Sequence, residues 1–171
     1  MRKLVIALSV VVFFILQSTM FLNINNSMIV PNLLVVLTST MGIMHGKKTG
    51  MIVGFCCGLL TDLMFSSVIG INALLLTYIG LGNGCLNSIF NPEALKLPIF
   101  MITVSDIAYS VLYYMLLFLL RTRYDILNYA RYIMVPELIL TVIATIILYP
   151  IILQIYKAFE RGQKGRRADG D

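Results

Sequence analysis

Long uncharged apolar stretches, separated by short polar segments, constrain this chain more than any other feature of its sequence. The first stretch runs from Leu4 to Leu22 and contains no charged residue. A helix needs about 20 apolar residues to cross the roughly 30 Å hydrocarbon core of a bilayer. Stretches of this length and composition therefore predict membrane-spanning helices rather than the core of a soluble domain.

The overall composition sets how many crossings the chain can make. Of 171 residues, 59% are hydrophobic and 12% are charged. Six crossings take about 120 residues, which leaves room only for short connections and tails. We predict an all-α fold, a compact bundle of six transmembrane helices over residues 1–156, followed by a basic cytoplasmic tail over residues 157–171. The predicted helices are 4–22, 29–44 (with Pro31 in its first turn), 49–65, 71–90, 97–120 and 132–156.

The positions of the basic residues predict the orientation of the bundle. With six crossings, all but three of the 13 Lys and Arg residues lie on the side that holds both termini. The exceptions are Arg121, Arg123 and Arg131, in the connection between the last two helices. Because basic loops are retained on the cytoplasmic side, both termini are predicted to be cytoplasmic. The net charge of +5 is thus explained by topology, and no nucleic-acid partner is expected.

The residues that usually carry catalysis or bind metals are scarce. The chain has one histidine, His45, and three cysteines, of which Cys56 and Cys57 are neighbours. Neither a histidine metal site nor a Ser-His-Asp triad can be assembled from this set. We therefore predict a protein that is not an enzyme, with no catalytic residues, no metal site and no cofactor.

Two predicted helices carry glycine at intervals of four residues. Gly50, Gly54 and Gly58 lie on the third helix, and Gly80 and Gly84 lie on the fourth. Residues four apart share a helix face, and small residues on one face let another backbone approach closely. Two interpretations follow: tight contacts inside the bundle, which we favour, or a groove for a partner helix.

Three acidic residues fall inside predicted spans: Asp62, Asp106 and Glu137. A charged group at the bilayer centre costs about 2.5–3.5 kcal/mol, so each should face the interior and either hydrogen-bond or be protonated. Asp62, Glu137 and Asn72 have comparable predicted depths and are expected to form an outer polar cluster, with Asp106 nearer the midplane. We favour a structural role over partner coupling or ligand binding. Helix 5 adds hydroxyls that need partners when buried: Tyr109, Tyr113 and Tyr114.

Several motifs follow one another in an order that resembles a known family. Pro31-Asn32-Leu33 opens the second helix, the basic turn His45-Gly46-Lys47 follows it, and the glycine series ends in Gly58-Leu59-Leu60-Thr61-Asp62. Gly70-Ile71-Asn72-Ala73-Leu74 then opens the fourth helix. Together with the length, the six predicted spans and the short basic tail, this series resembles MreD, the small membrane subunit of the bacterial rod-shape complex, or elongasome.

The resemblance implies a multi-pass scaffold in the bacterial cytoplasmic membrane that helps maintain rod shape. Such a scaffold binds the bitopic protein MreC and, through it, couples MreB filaments to RodA and its class B transpeptidase partner in peptidoglycan synthesis. Membrane lipids would surround the bundle, and pairing of the chain with itself stays open.

The resemblance also implies an alternative function. MreD proteins are similar in fold to the S components of energy-coupling-factor transporters, so a small-molecule-binding transport subunit is the second hypothesis. Those subunits often carry an AxxxA-type docking motif in helix 1. Here helix 1 reads Ala7-Leu8-Ser9-Val10-Val11, without such a pair, and the scaffold is favoured.

Overall fold

The computed structural model describes residues 2–23, 30–66, 68–87, 96–120 and 134–168. Within these ranges the chain is helical and contains no strand, which confirms the all-α prediction. The six described helices, in chain order, are α1 Arg2–Asn23, α2 Leu33–His45, α3 Lys47–Phe65, α4 Ile71–Leu86, α5 Lys96–Leu120 and α6 Val135–Ala168.

Three of these helices are long and apolar enough to cross a membrane. Their candidate spans are Lys47–Phe65, Lys96–Leu116 and Val135–Ile155. The apolar stretches of α1, α2 and α4 are shorter among the described residues, at 10–17 residues each. The structure therefore supports a membrane protein with three candidate spans, and the number six stays a prediction.

Helix α2 lies at the centre of the bundle. It packs against α1, α3, α4, α5 and α6. Every residue from Leu33 to Met44 is buried, and Val35, Val36 and Leu37 are completely inaccessible. The apolar character of α2 therefore serves burial against protein rather than contact with lipid, which explains how a helix of 13 residues can be so hydrophobic.

The start of α2 differs from the prediction. Val30 and Pro31 precede the helix, and Asn32 is its N-cap, with the side-chain oxygen accepting a hydrogen bond from the Val35 N–H at 3.3 Å. Pro31 was predicted to lie in the first turn of this helix, and that prediction is wrong. The Asn32 side chain accepts a hydrogen bond from an N–H of the first turn, so the helix begins after Asn32. At the other end, Gly46 adopts φ +84 and connects α2 directly to α3.

Two further boundaries differ from the predicted ones. Helix α6 continues past Tyr156 to Ala168, so the basic segment is a helical extension of the last helix. Helix α4 ends at Leu86, while residues 88–90 of its predicted end lie outside the described residues. The predicted external connection with Arg121, Arg123 and Arg131 also lies outside them.

Candidate functional site

The two predicted glycine series lie on the same internal contact between α3 and α4. A Cβ atom added at Gly50 would come within 3.0 Å of the Gly80 carbonyl oxygen, and one added at Gly80 would clash in the same way with the Gly50 carbonyl oxygen. A Cβ atom at Gly54 would meet the Leu76 carbonyl group. The two backbones touch, so only glycine fits at these positions.

The same contact continues to both ends of the two helices. A Cβ atom at Gly58 would meet the backbone of Asn72 and Ala73, and one at Gly84 would meet the backbone of Lys47. Gly82, on the other side of α4, has nothing within 4 Å of an added Cβ atom. The glycine faces are therefore occupied within the bundle and offer no open groove to a partner helix.

Asp62 caps the N-terminus of α4 from the neighbouring helix. Its Oδ2 accepts hydrogen bonds from the backbone N–H groups of Gly70 and Ala73, both at 2.9 Å. Its Oδ1 accepts from the backbone N–H of Asn72 at 3.2 Å and from the Asn72 side-chain amide at 2.9 Å. The first N–H groups of a helix have no partner within it, and Gly70 has no side chain to cap them, so the Asp62 carboxylate does so.

Asn72 extends this network to α5. Its side-chain amide also donates to Ser66 Oγ at 2.8 Å, and its Oδ1 accepts a hydrogen bond from the Tyr109 hydroxyl. The Asp62–Asn72 contact expected from their comparable depth is thus present, and Tyr109 has the hydroxyl partner that its burial requires. Ser66 was missed as a site residue, since a serine after a helix ordinarily indicates only a turn.

A polar cavity of about 250 Å³ adjoins this network, and all six helices contribute to its lining. Glu137 lines it from α6, and the Asn72 and Tyr109 side chains of the network line it as well. Of the predicted outer cluster, Asn72 and Glu137 therefore face one cavity, while Asp62 is not among the lining residues. The other polar side chains of the lining include Gln17, Asn32, Ser110 and Tyr113.

Asp106 lies on α5 about one turn before Tyr109 and Ser110 and is only 1% exposed. Neither of its carboxylate oxygens has a hydrogen-bond partner among the described residues. Thr141 of α6 is a polar neighbour, but its hydroxyl donates to the Glu137 carbonyl oxygen at 2.9 Å and accepts from the Asn32 N–H at 3.0 Å. The prediction for Asp106 was a hydrogen bond or protonation; because the Thr141 proton is used elsewhere, the described residues offer no hydrogen bond, and protonation stays a prediction.

A second polar cluster, not predicted from the sequence, connects three helices. The Asn83 amide of α4 donates to Ser39 Oγ of α2 at 3.2 Å and to Ser105 Oγ of α5 at 2.7 Å. It also donates to the Ile79 carbonyl oxygen of its own helix at 3.0 Å. The available signal was an amide side chain in a predicted span, between Gly80 and Gly84, where a polar group needs a partner.

Metal-ligating side chains do not cluster in the described residues. No group of three or more His, Cys, Asp or Glu side chains there could hold a metal ion. Among the cysteines, Cys57 is buried, whereas Cys56 and Cys85 are exposed. The polar interior is therefore built from amides, hydroxyls and single carboxylates.

Comparison with known proteins identifies one family. The model of the family described as rod shape-determining protein MreD matches residues 1–159 of the 171-residue chain. No curated protein and no solved structure matches. The match covers all six helices up to the basic extension of α6 and agrees with the motif series from Pro31 to Leu74, so the chain belongs to the MreD family of shape-determining membrane proteins.

Proposed function

We propose that the protein is a non-enzymatic scaffold of the bacterial cytoplasmic membrane that binds MreC. Through MreC it couples MreB filaments to RodA and its class B transpeptidase partner during cell-wall elongation. The observation that carries this proposal is the family match over residues 1–159. The transport-subunit alternative receives less support, because helix 1 lacks the docking pair that such subunits often carry.

The proposed MreC contact lies on a face other than the glycine series, which α3 and α4 already occupy. A groove of about 770 Å³ lies between α1 and α3, and its lining is almost entirely apolar. Ala7, Thr49 and Cys56 are the small side chains in it. Lipid tails are as apolar as leucine, so helix association in a bilayer depends on close packing, which small side chains permit. We assign this groove to the single membrane helix of MreC.

A filling substitution tests the groove against a matched control. Ala7→Leu adds bulk in the groove, while Ala108→Leu adds the same bulk on an exposed face of α5. The Ala7 variant should accumulate normally but retain less MreC on purification in mild detergent, and the Ala108 variant should behave like the wild type. Full MreC retention by the Ala7 variant at normal levels would place the contact elsewhere.

Cysteine labelling tests the proposed orientation. The exposed Cys56 and Cys85 would first be replaced by serine, while the buried Cys57 is kept. In that background, Asp125→Cys should react with a membrane-impermeant maleimide added to cells with an opened outer barrier. Reaction only after the cytoplasm is opened would reverse the assignment of this connection to the outside.

A further inference from the structure

The polar cavity contains a carboxyl group and no basic residue in its described lining. Glu137 is the one acidic side chain that lines it, and no Lys or Arg is among the described lining residues. Asp106 is buried on α5 about one turn before Ser110, a residue of the cavity lining. Unpaired carboxylates in a membrane protein are costly, so the cavity favours a positively charged occupant.

Aromatic rings form much of the cavity lining that surrounds the Glu137 carboxyl group. Tyr109 and Tyr113 are stacked, with ring centroids 5.8 Å apart and an interplanar angle of 14°. Phe14 and Phe65 also line the cavity and contact each other, with centroids 6.3 Å apart. The faces of aromatic rings attract organic cations, including ammonium groups, more specifically than they attract neutral molecules.

The size and remaining donors of the cavity narrow the class of ligand. Its volume of about 250 Å³ lies below the roughly 300–1,000 Å³ of pockets for drug-sized ligands, so a molecule of few heavy atoms fits. The oxygens of the Gln17 and Asn32 amides accept hydrogen bonds from Leu33 and Val35. Among the described hydrogen bonds their amide nitrogens donate to no protein group, which leaves donors for an oxygen atom of the ligand.

We propose that the cavity binds the ammonium group of a small amino alcohol, free or as the headgroup of a lipid. Glu137 supplies the opposite charge, the rings of Tyr109 and Tyr113 pack against the cation, and the amides of Gln17 and Asn32 donate to the neighbouring oxygen. This site is separate from the MreC groove and does not depend on the scaffold proposal.

Charge recognition is tested with the purified full-length protein in detergent. Thermal unfolding is measured with choline and with its neutral isostere, in which carbon replaces the quaternary nitrogen, at matched ionic strength. Choline should raise the unfolding temperature more than the isostere does. Glu137→Gln should weaken choline binding about tenfold to a hundredfold, while Glu160→Gln, near the end of α6, should leave it unchanged.

A second pair of variants tests the ring wall and guards against misfolding of the Glu137 variant. Tyr113→Leu removes one ring of the cavity, and Tyr78→Leu removes an exposed ring outside it. Only the first should weaken choline binding. Both proteins should still bind MreC, so that failure of the ligand site and failure of the scaffold proposal are told apart.

The source of the ammonium group is decided in nanodiscs. Native mass spectrometry would compare protein reconstituted in phosphatidylethanolamine with protein reconstituted in phosphatidylglycerol. If the wild type retains phosphatidylethanolamine and the Glu137→Gln variant does not, the ligand is a lipid headgroup. If choline or ethanolamine binds and no lipid is enriched, the ligand is a free cation. Equal effects of choline and its isostere, or no change on Glu137→Gln in either arm, would overturn the proposal and leave a hydrated cavity.

Discussion

Two aspartates, Asp62 and Asp106, lie on membrane helices of this protein with the same exposed fraction of 1% but in opposite surroundings. Asp62 accepts four hydrogen bonds from residues at the start of α4. Asp106 accepts none among the described residues. A buried carboxylate with its full set of donors stabilises a fold, whereas one without donors costs free energy.

The same contrast separates two regions of the bundle. Between α3 and α4 the backbones touch through glycine, and the polar groups at the Asp62 end of that contact are satisfied. Between α5 and α6 the helices meet beside a cavity that Glu137 lines, and Asp106 is buried about one turn from the lining residue Ser110. The difference indicates that the α3–α4 region provides stability and the cavity region has the chemical groups for binding.

The largest effect is expected from Gly80→Leu. The added side chain would drive the α4 backbone away from Gly50, and we expect a loss of more than about 3 kcal/mol of stability with loss of the protein from the membrane. Gly82→Leu, on the open side of the same helix, should accumulate normally. Immunoblots of membranes and thermal unfolding in detergent measure both. Equal accumulation of the two variants would show that α3 and α4 can move apart at little cost in stability.

Asp62→Leu should be the next most damaging change. It leaves the N–H groups of Gly70, Asn72 and Ala73 without an acceptor, at a cost of about 1–3 kcal/mol for each group that water cannot reach. Asp62→Asn keeps one acceptor oxygen but turns its NH₂ group towards donors, so this variant should lose less stability than the leucine variant. The unfolding temperatures give the order, and equal loss in both variants would indicate that the charge itself is required.

Asp106→Asn should have a smaller effect of the opposite sign. Replacing a buried carboxyl group that has no described hydrogen-bond donors should leave stability unchanged or raise it by up to about 2 kcal/mol. Thermal unfolding of this variant is measured in detergent without added amines, in parallel with that of the Asp62→Asn variant. If both asparagine variants are destabilised alike, the contrast between the two aspartates fails.

The smallest effect is expected from Tyr109→Phe. It removes the hydrogen bond to Asn72 Oδ1 but keeps the ring, so it should cost about 1 kcal/mol. Tyr78→Phe, on an exposed tyrosine, provides the control and should cost nothing measurable. If Tyr109→Phe leaves stability unchanged, the hydrogen bond from Tyr109 of α5 to Asn72 of α4 contributes little to stability.

The sequence by itself determined the all-α fold class, the protein family and which residues share one face of a helix. The length and apolarity of the stretches predicted membrane helices, because a helix satisfies its backbone within one segment and needs about 20 apolar residues to cross a bilayer. The four-residue spacing from Gly50 to Gly58 defined a face, since helical periodicity is a local property. The contact between Asp62 and Asn72 was also predicted, because the two residues have comparable depths in consecutive helices.

Only the tertiary structure decided what covers each face. That Gly50 meets Gly80, that α2 is enclosed on all sides and that Asn83 reaches Ser39 and Ser105 depend on contacts between residues far apart in sequence. The difference between Asp62 and Asp106 has the same origin: the donors that reach a buried carboxylate come from neighbouring helices, and a single helix pattern does not contain them. The cavity exists for that reason too, since its lining comes from all six helices.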